Sequence, residues 1–395
     1  MNVVAFVGET FQQYKNQCFT KQTSVAFLQD AFGKDNVFAA SSAVSVEEKP
    51  SSYSTEVVST QFYAFPAYSS TKSFLIRSLF SRGFLKEYIN KSDEVIAKHK
   101  GDMFWIRTPS IGSIVFGLRV LKHDQKLLHH MCADASNTWK DAKYKGISKF
   151  LAFVTSRFIR VLLKKICSHP NTINLCTGDV LEAFSKNLSE KTYQFVDVMV
   201  KDVDTSQMLC TERTDDRKRL LFVGRMVDDK GIFDLIEVVS SLREYFTLTF
   251  VGDGPDLEVA KQRVSQLGID STIGFTGQLP NSALSELFYR CDLVAVPSNN
   301  NYEGFPRVIM EAWSFGKPVV VSNVGGINAF VKDAENGLII QPGDRAELRK
   351  ALMKCNDSIL FDKIRYGASL MAQRSTQIYW IGSLLENTKV DSDVS

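Results

Sequence analysis

The 395-residue sequence contains no C-x-x-C pair, and its seven cysteines are odd in number and scattered. This argues against a disulfide framework or a zinc ribbon. Free thiols in a reducing cytoplasm are the plain reading. Its five histidines fall at no zinc-ligand spacing, so no metal is expected. No stretch reaches about 18 uninterrupted apolar residues, which removes the expectation of a transmembrane helix. The opening Met1-Asn2-Val3-Val4-Ala5-Phe6-Val7-Gly8 lacks the basic segment and small-residue cleavage site of a secretory signal, and reads as a buried first strand. Nucleic-acid motifs and dense arginine runs are missing too, so no nucleic-acid partner is expected. The first half is also short of acidic residues. Residues 1–200 hold 25 Lys+Arg against 17 Asp+Glu, whereas the remainder holds 22 against 27. That asymmetry points to an anionic surface as a partner of the first half.

What is present suits a two-domain α/β protein. The length is natural for two domains, and an apolar content of 44% supplies two cores. Short apolar runs at 220–223, 246–251, 273–275, 293–296, 318–321 and 337–340 predict buried parallel strands. Helical periodicity at 232–242, 256–267, 281–290 and 306–315 alternates with them, and Gly/Pro/Asp loops join the pieces. The pattern predicts a doubly wound parallel sheet. The first 200 residues are read as a second Rossmann-like domain with strands at 3–7, 37–40, 103–106 and 126–131. The polar, charged stretch between Val200 and Leu220 is the expected join.

Two groups of residues carry chemistry. Gly224-Arg225 closes a strand, and Lys230-Gly231 opens the next helix. Ligands of open parallel sheets lie outside the carboxyl ends of the strands. Two cations beside a helix N-terminus there suit a diphosphate. The second group is Glu303-Gly304-Phe305-Pro306-Arg307-Val308-Ile309-Met310-Glu311, two glutamates separated by seven residues. Pro306 suits the first helical position. Glu303 then precedes the helix and Glu311 lies within it, flanking unpaired backbone N–H groups that favour an anion. Each carboxylate could accept hydrogen bonds from hydroxyls on opposite sides of a bound diphosphate. Taken singly, the basic pair also fits a solvated loop, and the two glutamates fit surface acids.

The order and spacing of these pieces resemble family 4 glycosyltransferases of the GT-B fold. The matching segments are Phe222-Val223-Gly224-Arg225 with Lys230-Gly231, Phe250-Val251-Gly252-Asp253-Gly254-Pro255, Phe275-Thr276-Gly277, Val296-Pro297-Ser298, the Glu303–Glu311 pair, Gly316-Lys317-Pro318-Val319 and Asn336-Gly337-Leu338. The resemblance implies two Rossmann-like doubly wound domains facing across a cleft. These would be an acceptor-binding domain over 1–205, a nucleotide-sugar domain over 206–375, and a final segment, 376–395, whose helix crosses back. It implies a retaining enzyme that moves a sugar from a nucleotide-diphosphate sugar without a metal or other cofactor. Arg225 and Lys230 would hold the diphosphate, Glu311 the ribose and Glu303 the donor sugar. Gly304, Phe305 and Val308 would offer backbone groups, and the base would lie near Gly252 and Leu279.

The first half departs from the family pattern. The loop after the first strand, Gly8-Glu9-Thr10-Phe11-Gln12-Gln13-Tyr14, lacks a second glycine. The family's donor-facing histidine could be His130 or His129, and Asp134 could meet the acceptor. Residues 72–86 and 143–165 mix Lys/Arg with Phe/Leu/Ile and contain no acid. Such stretches fit either a core-facing helix with a basic rim or an anionic membrane interface. The expected acceptor is a lipid-linked or cell-envelope glycan of polysaccharide, lipopolysaccharide or capsule type. The expected place is the cytoplasm, peripheral to the inner membrane face. A nucleotide-sugar epimerase and an inactive membrane adaptor on the same fold are the alternatives.

Overall fold

The computed structural model describes all residues except 1, 22, 51–52, 82, 141–143, 202–215, 280, 301–302 and 390–395. Most of the expected join therefore lies outside the described residues, as do Arg82 and Lys143 of the basic stretches. The chain divides into two compact units, Met1–Met199 with Ile381–Ser395, and Val200–Trp380. The second division falls inside the last helix, Gln377–Lys389.

The first unit contains β1 (Val3–Phe6), β2 (Phe11–Tyr14), β3 (Gln17–Thr20), β4 (Val37–Ser45), β5 (Thr55–Val58), β6 (Phe62–Phe65), β7 (Met103–Thr108), β8 (Leu127–Met131), β9 (Thr172–Cys176) and β10 (Thr192–Gln194). Seven of these run parallel in the order β10-β9-β8-β7-β1-β4-β6. Counted along the chain this is the Rossmann succession, reversing direction between β1 and β7. β1 is buried along its whole length, as the unbroken Val-Val-Ala-Phe run demands of an inner parallel strand.

The structure departs from the sequence expectation at two places. The segment after β1 is not a simple loop, because Phe11–Tyr14 forms a strand of a hairpin with β3. Lys15, at φ 51°, turns it. The expected strand at 37–40 also continues to Ser45. Its first half pairs with β1 and β6, and its second half turns to β2. Phe11 and Phe19 are buried, so the hairpin carries its own apolar side.

The second unit is wholly parallel. Its strands are β11 (Lys218–Val223), β12 (Phe246–Val251), β13 (Ile273–Phe275), β14 (Leu293–Val296), β15 (Val319–Ser322) and β16 (Gly337–Ile340), in the order β13-β12-β11-β14-β15-β16. The order reverses between β11 and β14. Helices Ile232–Ser241, Leu257–Gln266, Asn281–Arg290 and Arg307–Ser314 connect successive strands. The core joins Phe222, Leu248 and Leu293 of the sheet to Leu235, Ile236 and Val239 of the first crossover helix. That apolar face recurs at the helical period, as the sequence required.

Candidate active site

The carboxyl ends of β11 and β14 lie side by side at the reversal, so the loops that follow them meet there. Gly224 and Arg225 follow β11, and a short turn of Asp228–Lys230 leads into helix Ile232–Ser241. The segment after β14 runs to Pro306 and helix Arg307–Ser314. Two hydrogen bonds tie the two loops together. Asn299 N donates to Asp229 O at 3.0 Å, and Asn300 Nδ2 reaches the same carbonyl at 3.4 Å.

This bracing brings Lys230 and Glu303 into contact, with Lys230 Nζ donating to Glu303 Oε1. Asn300 holds the glutamate from its own side. Its Nδ2 donates to Glu303 Oε2 at 3.2 Å, and its Oδ1 accepts from the Glu303 amide at 3.0 Å. Asn300 is buried and was not singled out in the sequence. Its signal was its place three residues before Glu303, the reach of a side-chain-to-backbone turn. Arg225 is exposed and forms no ion pair or side-chain hydrogen bond among the described residues.

Pro306 is the N-cap of helix Arg307–Ser314, with extended backbone (φ −66°, ψ 117°), not its first helical residue. The correction shifts the helix start by one position and leaves the chemistry alone. Among the described residues no acceptor meets the amides of Gly304, Phe305 or Val308. Such amides at a helix start are donors for an anion. Gly304 is fixed by its carbonyl, which accepts from Gly326 N at 2.6 Å. The Phe305 ring is buried against Phe330 and Trp313.

Glu311 is half-buried, one turn into the same helix. Its carboxylate has no hydrogen-bond partner among the described residues. Burial pushes this carboxyl above the usual glutamate range, and nearby Arg307 pulls it partly back. A half-buried carboxylate without a hydrogen-bond partner is an acceptor awaiting donors. Gly252, after β12, has φ 135°, and a Cβ there would lie 1.9 Å from the Gly224 carbonyl oxygen. Only glycine lets these two strand-end loops touch. Leu279 is half-buried in the loop after β13.

The histidines lie in the first unit, on β8, and both are fully buried. His129 bonds to Thr108 Oγ1 at 2.8 Å and to Asn174 Oδ1 at 3.1 Å. Burial lowers its pKa to about 4, so the ring is neutral. His130 lies edge-on to Trp105 and Phe195, with Nε2 3.0 Å from Thr177 Oγ1. Asp134 folds back on its own loop, accepting from Ser136 N, Ser136 Oγ and Asn137 Nδ2. Glu9, where a second glycine was expected nearby, accepts from Thr20, Thr23 and Arg107.

Residues 210–358 match the family model for glycosyl transferases group 1. The second unit belongs to this family. Glycogen synthase of Mycobacterium tuberculosis is 33% identical over 141 residues, covering 35% of this chain and 34% of that protein. D-inositol 3-phosphate glycosyltransferase of Thermomonospora curvata is 32% identical over 151 residues, covering 35% and 34%. The match to these relatives thus spans about a third of their length. The solved structure of Anabaena Alr3699/HepE in complex with UDP-glucose covers 98% of this chain and 99% of its own, at 17% identity and a TM-score of 0.66. The fold outside the group 1 domain is therefore also that of GT-B glycosyltransferases.

Proposed function

We propose that this chain is a retaining family 4 glycosyltransferase that moves a sugar from a nucleotide-diphosphate sugar to a lipid-linked or cell-envelope glycan. The observation that carries the reading is the assembly at the reversal of the second sheet. It joins the Lys230–Glu303 pair, the free amides of Gly304, Phe305 and Val308, and the unpartnered Glu311 carboxylate. In this reading Arg225 and Lys230 bind the diphosphate, and Glu311 accepts from the ribose hydroxyls. Glu303 accepts from the donor sugar, and the base lies near Gly252 and Leu279. The C1–O bond to phosphate breaks, and the nucleoside diphosphate leaves with the bonding pair. The acceptor hydroxyl bonds to C1 on the face being vacated, and its proton passes to the departing phosphate. Two cations and helix-start amides stabilise that departing charge, so no metal is required. The presence of UDP-glucose in the Anabaena relative supports the nucleotide-sugar assignment.

The acceptor side of the proposal rests on two helices of the first unit. Helix Gly146–Cys167 exposes Ile147 (80%), Phe150 (66%), Leu151, Val154, Phe158 and Val161, and contains no acid. Helix Thr71–Phe80 exposes Leu79 (78%) and Phe80 (83%) beside Lys72 and Arg77. Neither is long and apolar enough to cross a membrane. Both suit lying on an anionic leaflet, where a lipid-linked acceptor resides.

Calorimetry with a panel of nucleotide sugars tests the donor half. One donor binds, and Arg225→Ala or Glu311→Ala weakens it about 10–100-fold, the worth of a charge-assisted hydrogen bond. A folded protein that binds no nucleotide would falsify the enzyme reading and favour the adaptor.

A further inference from the structure

The first unit contains a cavity of about 580 Å³ with Asp134, the residue expected to meet the acceptor, in its wall. It lies between the loop after β8, helix Gly146–Cys167 and helix Asp179–Lys186. That volume is in the range of sites for small ligands. Much of the wall is apolar, including Leu163, Leu181, Phe184 and Leu188. Two cations break that wall, Arg160 and Lys164. They are four residues apart on one helix, so their side chains share a face and can converge on one anion.

Neither cation has a carboxylate partner among the described residues. Arg160 sits over the Phe184 ring at 5.4 Å, which holds the guanidinium against the apolar wall. The single carboxylate of the lining, Asp134, already accepts three hydrogen bonds from Ser136 and Asn137. The cavity therefore offers a hydrocarbon-compatible wall with net positive charge.

The same helix supplies the route in. At about 100° per residue, Ile147, Leu151, Val154, Phe158 and Val161 form one exposed stripe. Lys149, Arg157, Arg160 and Lys164 fall along one flank of that stripe. Two of these, Arg160 and Lys164, line the cavity, which puts it beside the surface proposed above to meet lipid. We propose that the cavity takes one anionic phospholipid, its phosphate between Arg160 and Lys164 and part of its chain along Leu163, Leu181, Phe184 and Leu188. The membrane docking proposed above supplies the lipid. Binding in the cavity itself is testable without a membrane.

The test titrates water-soluble dihexanoyl phosphatidic acid, below its micellar concentration, into the full chain by calorimetry. Saturable binding of one lipid per chain is expected. Arg160→Gln with Lys164→Gln should weaken it at least about tenfold. Ala183→Trp, which puts an indole at the cavity wall and leaves both charges, should weaken it equally. Inorganic phosphate and uncharged dihexanoyl glycerol should each bind at least about tenfold more weakly, since each has half the chemistry. No saturable binding, or undiminished binding by either variant, overturns the proposal. Phosphate binding as well as the lipid would make this a plain anion site and overturn the lipid assignment. Phe150→Asp with Phe158→Asp reports separately on docking. It should weaken sedimentation with anionic vesicles severalfold and leave dihexanoyl phosphatidic acid binding intact.

Discussion

Lys230 meets Glu303, so a diphosphate must compete with a carboxylate for its ammonium group. Glu303→Gln removes that competitor and keeps a polar side chain against Asn300. Nucleoside diphosphate binding by this variant should be unchanged or tighter. Sugar transfer should fall about 10–100-fold, as one charge-assisted bond to the sugar is lost. Parallel loss of both would mean that Glu303 acts only by bracing the loop. Glu311 has the opposite condition, a carboxylate without a partner. Burial raises its folded-state pKa. Its contribution to stability is complete below the ordinary glutamate value of about 4.3 and is lost as pH rises through the elevated folded value. Glu311→Gln avoids that loss. Scanning calorimetry should find the variant melting higher than wild type at pH 8, with the gap closing toward pH 4. A gap that does not change with pH would show that the charge of Glu311 is not what the fold tolerates.

The elements of the second unit were legible because its buried parallel strands are mainly apolar segments closed by glycine or proline. Phe246–Val251 and Leu293–Val296 fall where the sequence placed them. The hairpin of β2 and β3 was hidden for the converse reason. Phe11-Gln12-Gln13-Tyr14 and Gln17-Cys18-Phe19-Thr20 mix polar with apolar residues, and neither is a run. β10 has three residues, Thr-Tyr-Gln, and no pattern can mark so short a strand. At the site, the sequence supplied Lys230, Glu303 and Glu311, whereas Asn300 and the buttress behind Gly304 needed the fold. That buttress comes from the loop after β15. Gly325, at φ 56°, presses on the site loop so closely that a Cβ would lie 1.9 Å from Glu303 O and 2.4 Å from Gly304 O. Both obstacles are backbone and cannot swing aside. Gly325→Ala should cost about 1–3 kcal/mol of stability and displace the Glu303 loop. Donor affinity should then fall in a protein whose circular dichroism is unchanged. Retained affinity would mean that the loop gives way without moving the amides.

At the scale of the whole chain, charge separates by half, with the basic excess in residues 1–200 and the acidic excess beyond. The separation matters because the exposed apolar side chains of the first unit, Leu79, Phe80, Ile147 and Phe150 among them, lie on helices rich in Lys and Arg. Attraction to an anionic leaflet would bring this unit to the membrane, and insertion of the apolar stripe would keep it there. The two contributions differ in range. Exposed charges are screened beyond about 10 Å at 0.1 M salt and about 3 Å at 1 M, whereas apolar burial does not weaken with salt. Sedimentation with vesicles containing phosphatidylserine should therefore drop severalfold between 0.05 and 0.5 M salt (about 14 to 4 Å of screening length) without vanishing. Neutral vesicles should retain only the salt-independent remainder. Binding that ignores both salt and lipid charge would show that the basic residues solvate the helices and play no part in docking. The proposed acceptor would then have to reach this chain from solution.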